Sequence, residues 1–127
     1  IWDHIEKLKH SKSKLPNGAS MIIEPTSAFV AVDVNTGNDF SLSAGLKANL
    51  AVAKELPNQL SLRGLGGQII IDFAPSPKKD RKLIETALNS SFRKGKIDTV
   101  VVGWTTLGNF ELQRKRERIP LSELLQD

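Results

Sequence analysis

Two runs of strand-forming apolar residues each end on a carboxylate: Ala28-Phe-Val-Ala-Val32 leads into Asp33-Val-Asn35-Thr-Gly37, and Gln68-Ile-Ile-Ile71 leads into Asp72-Phe73. Short apolar runs rich in Val and Ile, bounded by turn signals, predict strands of a mostly buried sheet. Neighbouring strands lie about 4.8 Å apart, so acids at matching ends of two adjacent strands would face each other. Like charges so placed repel, and at least one is pushed toward its neutral form unless a cation neutralises the pair. Two accounts follow. Asp33 and Asp72 are strand-end turn residues in open solvent, or they share a divalent cation.

The rest of the chain supplies the elements around these strands. Trp2, Ile5 and Leu8 recur at helical spacing and predict a helix over 2–11, closed by the turn chemistry of Leu15-Pro16-Asn17-Gly18. A β-hairpin is expected next, with strands over 19–23 and 28–34 and Glu24-Pro25-Thr26-Ser27 as its turn. Ser43 is the expected N-cap of a helix with Leu46, Leu50 and Ala53 on its buried stripe. Pro57 should kink or restart that helix, because proline lacks an amide and crowds the Ala53 carbonyl. The helix then resumes through Leu60 and Leu62 and ends at Gly64, Gly66 and Gly67.

Ser76-Pro77 predicts a second helix start, and Ile84, Leu88 and Phe92 form an i, i+4, i+8 stripe that Gly95 closes. A further buried strand is expected over 99–102. Residues 110–118 read equally as helix or strand, and 120–125 as a short amphipathic tail. The order helix, hairpin, helix, strand, helix, strand implies an α/β (α+β) domain: a mixed β-sheet with an N-terminal β-hairpin and helices packed on it. Such sheets receive ligands beyond the carboxyl ends of their strands, where both acids stand.

Composition narrows the partners. The 127 residues suit one domain, expected over 1–127, and the absence of cysteine excludes disulfides and thiolate zinc sites and fits a reducing, cytoplasmic setting. No apolar run approaches the roughly 20 residues of a membrane span, so no membrane is expected as a partner. A start on Ile1 suggests an excerpt of a larger protein. Eighteen Lys and Arg stand against 14 Asp and Glu. The basic residues bunch in 7–14, 78–82, 93–96 and 114–118, a pattern that favours a polyanion such as RNA or DNA over four unrelated solvated faces.

Among cations, magnesium fits best, since it prefers oxygen ligands, is held by one or two carboxylates and leaves room for water and substrate phosphate. Asn35, two residues beyond Asp33, points to the same side of an extended strand and offers an amide for a bound water or a phosphate oxygen. An EF-hand is rejected, because Gly37 falls at loop position five and Ala44 at position twelve. His4 and His10 lie on different helix faces, no Gly-x-Ser-x-Gly elbow occurs, and Gly64-Leu-Gly66-Gly67 precedes a strand instead of opening a helix. Trp104, at a strand end, reads either as a packed rim residue or as a platform for a base.

The stretches Ala31-Val-Asp-Val-Asn-Thr-Gly37, Asn49-Leu50, Leu62-Arg-Gly-Leu-Gly-Gly-Gln-Ile-Ile-Ile-Asp-Phe73 and Leu107-Gly-Asn-Phe-Glu-Leu-Gln-Arg-Lys-Arg116 together resemble the ribonuclease E/G family, in the deoxyribonuclease I-like subdomain of its catalytic region. That resemblance implies a metal-dependent endoribonuclease that cleaves single-stranded RNA to 5′-phosphate and 3′-hydroxyl ends. It implies Asp33 and Asp72 as ligands of a catalytic Mg²⁺ (Mn²⁺ as substitute), Asn35 as the supporting group, and Arg114, Lys115 and Arg116 as RNA-backbone contacts. It also implies further domains in the parent chain and a homo-oligomer of the full-length protein. The chain departs from the family pattern at Leu50-Ala51-Val52, at Ala74-Pro75, where a further acid is usual, and at Thr106, where an arginine is usual. The rival expectation is a non-catalytic RNA-binding or scaffold module on the same fold; a pure protein-interaction domain would have no need for acids at two strand ends.

Overall fold

The computed structural model describes residues 11–95 and 97–116, so residues 2–10 of the first expected helix and the tail over 120–125 lie outside the described residues. Six strands and two α-helices follow in the order β1 (Lys12–Lys14), β2 (Ser20–Pro25), β3 (Val30–Asn35), α1 (Leu42–Arg63), β4 (Gly67–Asp72), α2 (Arg81–Arg93), β5 (Thr99–Trp104) and β6 (Phe110–Arg114). One mixed sheet contains all six, in the order β1-β2-β3-β4-β6-β5. Only β3 and β4 run parallel; the other neighbours are antiparallel. A parallel pair needs a long crossover, and α1 provides it.

The expected hairpin is β2 and β3. Its tip is tied by Thr26, whose N–H and hydroxyl both donate to the Phe29 carbonyl at 2.8 and 2.6 Å, while its Oγ1 accepts from the Ala28 and Phe29 amides. Strand β1 was not anticipated, and a three-residue edge strand carries too little pattern to announce itself. The ambiguous segment after residue 110 is strand β6, and its alternation decides the matter: Phe110, Leu112 and Arg114 are buried, Glu111 and Gln113 are not.

Alternation also shows which face the helices cover. Met21, Ile23, Val32, Ile69, Ile71, Phe110 and Leu112 are all essentially inaccessible and join Val52, Ala53, Leu56 and Leu60 of α1 and Ile84 and Leu88 of α2 in one core. Each such side chain contributes on the order of 1.5–3 kcal/mol by leaving water. The intervening residues Ile22, Ala31, Asp33, Ile70 and Asp72 remain partly or fully exposed, so the opposite sheet face is open. The sheet is therefore less buried than its apolar runs suggest. Val100 and Val102 of the edge strand β5 are 64% and 55% exposed.

Helix α1 differs from its expected course in three ways. Its N-cap is Ser41, whose Oγ accepts the Ala44 N–H at 3.2 Å, and Ser43 sits one step inside the helix. Its buried residues are Gly45, Ala48, Asn49, Val52, Ala53, Leu56 and Leu60, so Ala53 is buried as expected while Leu46 and Leu50 lie on the shoulder. It also runs without a break through Pro57. Proline costs an interior helix about 3 kcal/mol, but Val52, Ala53, Leu56 and Leu60 on both sides of it are fully buried and hold the two halves to one sheet. Gly64 ends the helix at φ 64°, a left-handed conformation that glycine adopts without a Cβ penalty, and Leu65 N–H returns to the Leu60 carbonyl at 2.9 Å.

Helix α2 carries the expected stripe of Ile84, Leu88 and Phe92, but Ser76 does not cap it. A 3₁₀ turn over Lys78–Asp80 leads into the helix, and the Ser76 hydroxyl instead meets the Asn49 amide at 3.4 Å. If tertiary packing is what carries α1 past its proline, Pro57→Ala should raise the unfolding free energy by about 1–3 kcal/mol in a urea titration. An unchanged or lower midpoint would mean that the ring itself contributes packing that alanine cannot replace.

Candidate active site

The parallel pairing of β3 with β4 sets Val30 beside Ile69, Ala31 beside Ile70, Val32 beside Ile71 and Asp33 beside Asp72. Residues paired in this way share a sheet face, and because Val32 and Ile71 face the helices, both aspartates face the open side. Their backbones are one strand spacing apart, about 4.8 Å. Both side chains are exposed, and neither makes a hydrogen bond or ion pair among the described residues. They line a shallow depression of about 390 Å³ together with Glu24, Ile22, Ala31 and Asn109.

The profile of the Ribonuclease E/G family matches residues 1–117. The chain belongs to that family. Ribonuclease G of Escherichia coli is 33% identical over 98% of this chain, and Ribonuclease E of the same organism is 32% identical over 97%. Ribonuclease E of Synechocystis sp. is 40% identical over 87% of the chain. The chain spans 27%, 12% and 17% of the length of these three relatives, so it corresponds to about a quarter of each or less.

Within this ribonuclease E/G domain, the acid pair is a donor set of two carboxylates. Among the described residues no group of three or more His, Cys, Asp or Glu side chains is arranged to hold a metal ion. Two carboxylates on an open face form a site that leaves most of a cation's coordination to water and substrate. This donor set suits magnesium and would be too sparse for a structural zinc or calcium cage.

Asn35 lies on the same face as Asp33, two residues further along β3 and opposite Ser20 of β2. Its Oδ1 accepts the Gly37 N–H at 2.7 Å, closing an Asx turn at the end of the strand. The amide oxygen is thus occupied by the turn, and Nδ2 is what Asn35 has to present toward a ligand.

Helix α1 supports Asp72 from behind. The chain leaves β4 through Phe73, Ala74 and Pro75, and the fully buried Asn49 grips this segment from both sides. Its Nδ2 donates to the Ala74 carbonyl at 2.8 Å and its Oδ1 accepts the Ala74 N–H at 2.9 Å. One turn earlier Gly45 lies against the Pro75 carbonyl so closely that a Cβ would run into it. These two residues were not singled out as functional from the sequence, although a polar residue in register with an otherwise small and apolar helix stripe is a signal for such a clamp.

The basic residues of the last third are placed apart from the acids. Arg114 pairs with Gly67 at the opposite end of β4 from Asp72, a separation of about 17 Å along the strand. Its side chain is 5% exposed, donates to Ser61 Oγ at 2.7 Å and lies over the Phe92 ring on the helix-covered face. Arg114 is therefore not placed for contact with an RNA backbone, because strand alternation turns it inward. Lys115 and Arg116 are exposed, and the Arg116 side chain lies along the backbone of Gly66 and Gly67, where the missing Cβ atoms leave it room. Trp104 is packed against Phe110 and Phe73, with ring centroids 5.1 and 5.7 Å apart, and the Arg81 guanidinium covers it at 4.7 Å. That packing makes it a rim residue and takes away its free face for a base.

Because Asn49 satisfies both polar groups of Ala74, Asn49→Ala should lower the unfolding free energy by about 2–4 kcal/mol. Amide exchange at Phe73 and Ala74 should accelerate with it, and protection left intact there would show that the loop is held by something else.

Proposed function

We propose that this domain is the catalytic module of a magnesium-dependent endoribonuclease that hydrolyses single-stranded RNA to 5′-phosphate and 3′-hydroxyl ends. The observation that carries the reading is the strand register that sets Asp33 beside Asp72 on the uncovered face, both exposed and neither engaged internally among the described residues. Family membership and relatives named Ribonuclease E and Ribonuclease G support the substrate class. Mn²⁺ should substitute for Mg²⁺, as both accept this hard oxygen donor set.

Asp33 and Asp72 would hold the cation, which when bound polarises the scissile phosphate and lowers the pKa of the attacking water. The two aspartates fix its position through a rigid parallel strand pair, and Asn49 and Gly45 hold the chain immediately after Asp72. The Asn35 Nδ2 donor orients a water or a phosphate oxygen at the end of β3. Water adds to phosphorus as the bond to the 3′ oxygen breaks, and the proton released is returned to that oxygen through solvent. Lys115 and Arg116 contact the RNA backbone several nucleotides from the cut. In this proposal the protein is cytoplasmic, and strong RNA capture and homo-oligomer formation belong to other domains of the parent chain.

Asp33→Asn and Asp72→Asn should each abolish Mg²⁺-dependent cleavage of a 5′-phosphorylated single-stranded RNA by the full parent protein. In EDTA both variants should melt slightly above the parent, by the equivalent of a few tenths to about 1 kcal/mol, because a facing like-charge pair is removed. Millimolar Mg²⁺ should raise the melting temperature of the parent but not of either variant. A parent that binds RNA without cutting it would establish the non-catalytic alternative.

A further inference from the structure

The depression at the acid pair is larger than a cation and a phosphate require. Its floor is apolar and comes from three adjacent strands: Ile22 of β2, Ala31 of β3 and Ile70 of β4, with Phe29 lining it as well. By register Ile22, Asp33 and Asp72 form one transverse row, and Glu24, Ala31 and Ile70 form the next. The two rows are two residues apart along each strand, about 7 Å. The floor therefore begins at Ile22 beside the acids and continues through Ala31 and Ile70 in the next row, on the same open face, with Glu24 at its β2 side.

An apolar floor offers nothing to a hydrated cation or to a phosphodiester, whose ligands are oxygens and N–H donors. A nucleobase, in contrast, has flat apolar faces and a polar edge, and along an RNA strand it lies a few ångströms from each phosphate. We infer that Ile22, Ala31, Ile70 and Phe29 form a nucleobase subsite that seats the base next to the scissile phosphate, and that Glu24 reads its edge. The inference rests on the nuclease reading for which phosphate is cut, but base binding itself does not require cleavage.

The chemistry of Glu24 sets the preference. Its carboxylate is exposed and has no hydrogen bond or ion pair among the described residues. An ionised carboxylate only accepts hydrogen bonds, so it favours bases that present an exocyclic amino group, adenine, cytosine and guanine, over uracil, which has carbonyls in those positions and a single N3–H donor. Asn109, the one side chain in the lining with N–H donors, is held at the start of β6 by a turn in which its own N–H donates to Thr105 Oγ1 at 3.1 Å and its carbonyl accepts the Thr105 N–H at 2.7 Å. It stands where β6 would continue beside Asp72, close to the phosphate end of the subsite, and supplies a neutral donor among carboxylates.

The test titrates the isotope-labelled 127-residue chain, without metal, with four RNA trinucleotides that differ in the central base and with one that lacks it. Base-bearing trinucleotides should shift the amide resonances of Phe29, Ala31 and Ile70, with adenine, cytosine and guanine bound about fivefold or more tightly than uracil. Phe29→Ala should weaken every base-bearing ligand about five- to tenfold and leave the abasic one unchanged. Glu24→Ala should erase the preference over uracil without that general loss. Melting curves confirm that each variant is folded, and Asn109→Ala, at a side chain that makes no hydrogen bond among the described residues, should weaken the base-bearing ligands and the abasic one alike.

The subsite is overturned if the abasic ligand binds as well as the others, if the shifts fall on the helices, or if the ranking survives Glu24→Ala. Mg²⁺-dependent cleavage with no base-dependent shift at Phe29 would sink the subsite and spare the nuclease reading. Base-dependent shifts in a parent protein that never cleaves RNA would do the reverse.

Discussion

The parallel pairing of β3 with β4 is the constraint on which the remaining structure turns. It is the one parallel contact in the sheet, and its register decides that Asp33 meets Asp72 and that Val32 meets Ile71. A slip of one residue would send the acids toward the helices and the isoleucines toward solvent. The buried partners on the helix side therefore fix the position of the exposed partners on the other. Burial of Val32, Ile69 and Ile71 is worth several kcal/mol in total, whereas two exposed like charges opposite each other cost about 1 kcal/mol or less. The core term wins, so the register alone sets the acids in apposition.

That imbalance explains how one sheet serves two purposes. Its covered face is a close-packed layer with α1 and α2, and its open face leaves the carboxylates of Glu24, Asp33 and Asp72 without a hydrogen bond or ion pair among the described residues. The connection between the two faces is α1. The same helix whose Val52, Leu56 and Leu60 anchor the core also contacts the chain beyond Asp72 through Gly45 and Asn49. A change on the buried side of α1 is thus transmitted to one of the acids through the two hydrogen bonds between the Asn49 side chain and the Ala74 backbone, while Asp33 is held by strands alone.

The acid-bearing strands were legible in the sequence because apolar runs and terminal carboxylates are local patterns, and the hairpin and the α2 stripe were legible for the same reason. The errors came where tertiary packing overrode a local signal. Pro57 is a strong breaker in isolation, yet the buried residues around it hold the helix straight through it. Ser41 and Ser43 are equally good caps by type, and the exposed turn from Asp39, whose carboxylate accepts the Ser41 N–H, selects the first. Arg114 belonged to a basic cluster by sequence, but on a strand every second residue turns inward, and the period could be read only once the segment was known to be a strand. Asn49 was visible as part of a family pattern and as a polar residue in an apolar stripe, but its partner, 25 residues away in the chain, could not be read from local pattern.

The charge of the domain acquires a different meaning once it is placed in space. Formal excess is +4, yet the depression is lined by three carboxylates, Glu24, Asp33 and Asp72, and by no cationic side chain. Lys12 and Lys14 lie on the β1 edge, Lys78, Lys79 and Lys82 at the start of α2, and Arg116 beyond the far end of β4. The surroundings thus attract a polyanion that the centre repels. On the proposed function a divalent cation between Asp33 and Asp72 removes both the repulsion within the pair and the repulsion toward the phosphate. Binding of cation and RNA must then be reciprocal, each raising affinity for the other by the same factor. The basic edges bring RNA to the sheet at any metal concentration, and neutralising the acids tightens the hold of the depression on the strand, so occupation of the centre rises as the site becomes equipped to cut.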